Sequence, residues 1–126
     1  MLTGPGPAAR KALGERDPYQ VLVNNAGTNR PKMLSDVTVE DFDTIMALNV
    51  RAAFFMAQTV ALRLIEAKLP GSIINISSRA SERAVPQKAA YVASKGGLNA
   101  LTRSIALDYA RFGIRCNTIL PGFIYH

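Results

Sequence analysis

Between Pro70-Gly71 and Arg79 the chain reads Ser72-Ile73-Ile74-Asn75-Ile76-Ser77-Ser78, and the architecture hangs on this run. Isoleucines grouped behind a helix-stopping Pro-Gly pair and ahead of two serines predict a β-strand. Both flanks read as helix. On the N-terminal side Thr38 can cap a helix, and Asp41 three residues on makes most of a capping box. From there Phe42, Ile45, Asn49, Ala53, Val60 and Leu64 recur at helical spacing, while Leu48, Ala52, Phe55 and Leu62 form a second apolar side. A helix apolar on two sides must be covered twice. On the C-terminal side a polar loop from Arg79 to Lys88 leads into a helix over Tyr91–Phe112, with Leu98, Leu101 and Ile105 as its stripe and Gly113 beyond its end.

One step further out stand two more strands. Gln20-Val21-Leu22-Val23 lies between Pro18 and Asn24-Asn25-Ala26-Gly27, and Ile114 to Leu120 is closed by Pro121-Gly122. The order strand, helix, strand, helix, strand, with apolar runs that are continuous rather than alternating, predicts an α/β fold with a parallel sheet of right-handed βαβ units. Upstream, Met1 to Pro7 reads as a loose lead-in and Ala8 to Leu13 as a helical remnant stopped by Gly14. The chain thus divides into residues 1–18 and a folded part, 19–126.

The 126 residues suffice for one core, and 48% hydrophobic with 19% charged residues is ordinary globular usage, which excludes extensive disorder. The net charge of +6 is spread along the chain rather than gathered into a block or an aromatic-interleaved stripe, so nucleic acid is not the expected partner. The best apolar stretch, Ala52 to Leu62, is interrupted by Gln58 and Thr59 and falls short of the ~18 residues of a span, so no membrane partner is expected. One cysteine, Cys116, cannot form an internal disulfide, which favours a reducing, cytoplasmic setting.

In a parallel α/β sheet, ligands lie beyond the carboxyl ends of the strands. Here those ends carry Asn24-Asn25-Ala26-Gly27, Ser77-Ser78 and Pro121-Gly122. Tyr91 and Lys95 are one helical turn apart, so an ammonium can sit beside a phenol and favour its anion, the form a proton acceptor needs. No residue set with metal-ligand spacing accompanies them.

Read together, the Asn-Asn-Ala-Gly turn, Asn49 in the next helix, Ser78 after the next strand, Tyr91-Val92-Ala93-Ser94-Lys95-Gly96-Gly97 and Asn117-Thr118-Ile119-Leu120-Pro121-Gly122 resemble the short-chain dehydrogenase/reductase family. Order and spacing agree from about Tyr19 to Ile124, with the general tone of 3-oxoacyl-carrier-protein reductases. The resemblance implies part of a Rossmann-like, doubly wound parallel sheet binding NAD or NADP. It also implies a ketone or secondary alcohol as substrate. Tyr91 would be the acid/base, Ser78 a donor to the substrate oxygen, and Lys95 the partner of the phenol and of the nicotinamide ribose. Asn49 would interrupt its helix and hold a water that links Lys95 to solvent. Asn24, Ala26 and Gly27 would line the adenosine side, and Pro121 and Gly122 would bound the nicotinamide pocket.

The same comparison exposes departures. A Gly-rich phosphate turn between a first strand and a first helix is missing, for Thr3-Gly4-Pro5-Gly6-Pro7 follows no strand and its prolines remove donors. Gln20 stands where an acidic residue commonly begins the strand, Ser81 where glycine is common, and His126 where a threonine often falls. The expectation is a chain incomplete at both ends, with a homo-oligomer through the two long helices to cover their exposed sides. The rival expectation is a fragment that keeps the signature residues without catalysis and serves at most as an assembly partner. Arg79 and Arg83 are expected in solvent rather than on an anionic substrate.

Overall fold

The computed structural model describes residues 11, 18–83 and 85–121. The lead-in over Met1–Pro7 and Gly122 lie outside them, and of the helical remnant only Lys11 is described. Three parallel strands, β1 (Val21–Asn24), β2 (Gly71–Ile76) and β3 (Ile114–Ile119), pair in the order β1-β2-β3. In register, Leu22 lies beside Ile73, which lies beside Cys116. The first crossover is α1 (Val39–Met46), a π turn (Ala47–Arg51) and α2 (Ala52–Ala67), and the second is α3 (Ala89–Tyr109). The strands and helices thus fall where the sequence places them. One difference is a short 3-10 turn, Arg79–Ser81, inside the loop expected over Arg79–Lys88.

Successive right-handed crossovers running the same way along a sheet leave their helices on the same face. Leu22, Ile73, Ile114 and Cys116 meet Ala57, Val60, Ala61 and Leu64 of α2, and Ile105, Ala106 and Tyr109 of α3 pack on that cluster. The opposite face has no cover among the described residues: Val21 is 61% exposed, Val23 52% and Ile119 50%. Burial along β1 and β3 therefore alternates, although the residues themselves are apolar on both sides of β1.

Local chemistry fixes the ends of these elements. Thr38 Oγ1 accepts from the Asp41 N–H at 3.0 Å and Asp41 Oδ2 accepts from the Thr38 N–H at 3.1 Å, a complete capping box. Lys32 and Arg30 also reach Asp41, at 2.6 and 3.3 Å, and these hydrogen bonds hold its carboxyl well below the usual carboxylate range, the Lys32 contact foremost. Lys68, with φ 57°, ends α2 in the left-handed region. Taken through its π turn, the helix from Val39 to Ala67 is 29 residues long and apolar enough to cross a bilayer by length and composition, which counting uninterrupted runs does not reveal. One side of it is core; the other carries Phe42, Leu48, Phe54 and Leu62, each more than a third exposed.

Candidate active site

Tyr91 and Lys95 occupy the first turns of α3, on one face because they are four residues apart. The Lys95 ammonium lies 5.9 Å from the Tyr91 ring centroid and donates to the Ile76 carbonyl, the last of β2, at 2.9 Å. Lys95 is only 4% exposed, and among the described residues no carboxylate pairs with it; both ion pairs belong to Asp41. Burial pushes its ammonium below the usual lysine range. A desolvated cation without a counter-charge is costly to fold around, and such costs concentrate where chemistry needs them.

Asn49 holds the loop after β1 from behind the cleft-lining residues. It sits inside the π turn, 1% exposed, with Oδ1 accepting from the Thr28 N–H at 2.8 Å. Its Nδ2 donates to the Thr28 carbonyl at 2.9 Å and to Ser94 Oγ at 3.0 Å. The α-helix widens to a π turn around Asn49, where the resemblance implies an interruption. Its amide, however, clamps the loop after β1 to α3, so the side chain is already occupied by these three partners. The clamp presses Gly27 against the lysine: a Cβ there would lie 3.3 Å from both Asn49 Oδ1 and Lys95 Nζ. A side chain there would have to push the amide or the ammonium aside by a few tenths of an ångström.

These groups surround a cleft of about 360 Å³ at the carboxyl ends of β1 and β2, lined among others by Gly27, Thr28, Ser77, Lys88, Tyr91 and Lys95. That volume suits a small-molecule site, typically ~300–1,000 Å³. A larger hollow of about 530 Å³ lies on the helix flank against Met46, Val50, Phe54 and Phe55. It is apolar and holds neither Tyr91 nor Lys95, so it is not the chemical centre. Ser78 adjoins the cleft-lining Ser77 without itself lining the cleft; its Oγ accepts from the Ala80 N–H at 3.1 Å, which leaves the hydroxyl hydrogen for donation.

Asn24, at the end of β1, turns its side chain inward. Its amide points into the covered face, donating to Asn75 Oδ1 at 2.9 Å and to the Ala53 carbonyl at 3.4 Å. Asn75 in turn donates to Thr102 Oγ1 at 2.9 Å, so a polar chain ties β1, β2 and α3 through the core. Strand alternation explains the direction, since Asn24 follows Leu22 by two. Ala26 is exposed and Pro121 is exposed, and neither lines the cleft.

Several participants were not singled out from sequence. Thr28, Asn29 and Lys88 line the cleft beside Asn25 of the strand-end turn, and Ser94 anchors Asn49. Ser81 accepts from Asn99 Nδ2 at 2.7 Å and donates to the Ser78 carbonyl at 2.5 Å, which bolts the turn after Ser78 onto α3. Thr28 and Asn29 could have been found from their place just after a strand end; the Ser81–Asn99 contact is tertiary and leaves no local pattern.

Residues 7–125 match the family described as short chain dehydrogenase. The chain is 40% identical over 124 residues to a (3R)-3-hydroxyacyl-CoA dehydrogenase of Mus musculus, a match covering 94% of this chain and 48% of that protein. Among solved structures, a gluconate 5-dehydrogenase from Burkholderia cenocepacia J2315 in complex with NADP and tartrate is 36% identical with a TM-score of 0.86, over 94% of this chain and 46% of that one. A 4-hydroxyisoleucine dehydrogenase complexed with NADH and succinate is 34% identical with a TM-score of 0.84, over 90% and 52%. The chain spans about half the length of the curated relatives it matches. The three strands and their helices correspond to part of the Rossmann-type sheet of these dehydrogenases.

Proposed function

The chain belongs to the short-chain dehydrogenase family, and from that membership we propose that it carries the proton-transfer half of an NAD(P)-dependent oxidoreductase acting on a ketone/secondary-alcohol pair. The observation that supports this best is Lys95, buried without a carboxylate, one turn beyond Tyr91 at the wall of a cleft. The absence of a side chain at Gly27 leaves the cleft wall open to close approach of a flat cofactor, with Lys95 as the holder of its nicotinamide ribose. When bound, a nicotinamide supplies or takes up the hydride.

In reduction, Tyr91 gives its phenolic proton to the carbonyl oxygen as negative charge gathers there, and Ser78 donates a second hydrogen bond to the same oxygen. Lys95 steadies the phenolate left behind. It uses one of its three N–H donors on Ile76, which leaves two for the phenolate and a bound ribose. The widened turn at Asn49 is where a water linking Lys95 to solvent would sit, returning the proton to Tyr91. In oxidation Tyr91 takes the proton instead. On this reading Ala26 and Gly27 flank the adenosine side, and Pro121 with Gly122 bounds the nicotinamide.

The exposed side of the long helix, with Phe54 and Leu62, suits a homo-oligomer, which sedimentation of a Phe54→Glu variant tests by a shift toward monomer. A cytoplasmic setting is part of the same reading; Cys116 is buried and its thiol is pushed up to about 11 by that burial, so it stays a thiol.

Nicotinamide absorbance with a panel of ketones and alcohols tests the activity: Tyr91→Phe should lower turnover by about 10²–10⁴-fold. A second reading, a non-catalytic piece that acts as an assembly partner, draws on the bare sheet face and the half-length match. A folded chain with millimolar or weaker affinity for both NADH and NADPH would support it over the first.

A further inference from the structure

Two cations line the cleft, Lys88 and Lys95, and among the described residues no carboxylate lines it with them. Lys95 is committed to the Ile76 carbonyl and to Tyr91. Lys88 is half-buried, three residues before Tyr91, and belongs to neither ion pair of the described residues. The arginines that the loop offered instead, Arg79 and Arg83, are exposed and lie outside the cleft wall.

The backbone that delivers Lys88 is held in a shape it would not choose. Gln87 has φ 60°, in the left-handed region, and Lys88 itself is non-helical at φ −132°, ψ 27°. The Gln87 carbonyl accepts from the Lys32 N–H at 3.0 Å, and the Lys32 ammonium is pinned to Asp41 at 2.6 Å. Three segments therefore brace the turn that places Lys88 at the cleft: the loop after β1, the start of α1 and the start of α3.

We propose that Lys88 selects a substrate bearing a carboxylate, binding that group while the reacting carbon lies toward Tyr91. This rests on the hydride-transfer reading for the identity of the reacting carbon, and on Lys88 alone for the charge. An ammonium at a cleft wall gains a charge-assisted bond from a carboxylate, and a neutral substrate leaves it without one. Choice between acid and neutral analogue follows from that difference.

The test needs no turnover. Succinate, neutral succinamide and ADP-ribose are titrated into the ¹⁵N-labelled full chain at constant ionic strength, and the Tyr91 and Lys95 amides are followed. Succinate should shift them saturably and succinamide should not. Lys88→Met should raise the succinate Kd at least about tenfold, and Lys88→Arg should restore it, with the amides of α2 unmoved in both. An unchanged Kd in Lys88→Met, no saturable succinate binding, or Lys88-dependent binding of ADP-ribose but not succinate would overturn the proposal; the last would assign Lys88 to a cofactor phosphate. A chain that binds succinate through Lys88 yet transfers no hydride loses the catalytic reading and keeps this one. Tyr91-dependent turnover of uncharged ketones, without Lys88-dependent anion binding, does the reverse.

Discussion

At Lys95 a single buried charge sets how the molecule should respond to alkali. Burial lowers the ammonium's folded pKa beneath its unfolded one, so between the two values the unfolded chain binds more protons and stability rises with pH. Denaturant midpoints should therefore increase as pH climbs toward about 10, the range in which unfolded lysine titrates, and Lys95→Met should flatten that rise while stabilising the chain at neutral pH. A slope unchanged by the substitution would mean that the lysine is hydrated. Asn49 works in the opposite sense. Asn49→Ala takes both partners from the part-buried Thr28 N–H and carbonyl, and urea unfolding should record a loss of about 1–3 kcal/mol in all. At this scale the sequence reports which residues share a helix face or a strand end and says less about what their side chains touch. Tyr91 and Lys95 share a face by spacing alone, whereas the partners of Asn24 and Asn49 lie 51 and 21 residues away and could not be read locally.

Elements were the most legible level, because capping, apolar spacing and Pro-Gly punctuation are short-range. Thr38 with Asp41, Pro70-Gly71 and Gly113 mark real ends. The π turn was signalled only by an asparagine on the apolar stripe; buried positions step by four through Asp41, Ile45, Asn49, Ala53 and Ala57 before ordinary helical alternation resumes. Removing one residue between Ala47 and Arg51 would close the wide π turn to ordinary α-helical geometry and leave the phase of α2 nearly unchanged. Two point variants probe the joints around α2. Gly71→Ala would drive a Cβ into the Leu64 side chain and the Gln20 carbonyl, and calorimetry should show a loss of about 1–3 kcal/mol. Lys68→Gly removes a side chain from a left-handed position and should gain up to about 1 kcal/mol.

At the scale of the whole molecule, the described residues form a sheet with one clothed face, and mutational cost should be as lopsided as the cover. Ile73→Ala, at 0% exposure beneath both helices, should lose about 2–5 kcal/mol, while Val21→Thr on the bare face should stay within about 0.5 kcal/mol; equal losses in denaturant titrations would show that something shields Val21. Sidedness was the least legible feature. Apolar residues on both sides of β1 read as two-sided burial, and sequence pattern cannot report which neighbours are present to provide it. The outer margin of β1 also leaves a row of peptide N–H and carbonyl groups beside Val21 and Val23 with no strand to bond them among the described residues. Such a margin templates further strands, so renaturation yield should fall as protein concentration rises, and a charged gatekeeper at Val23 should recover it.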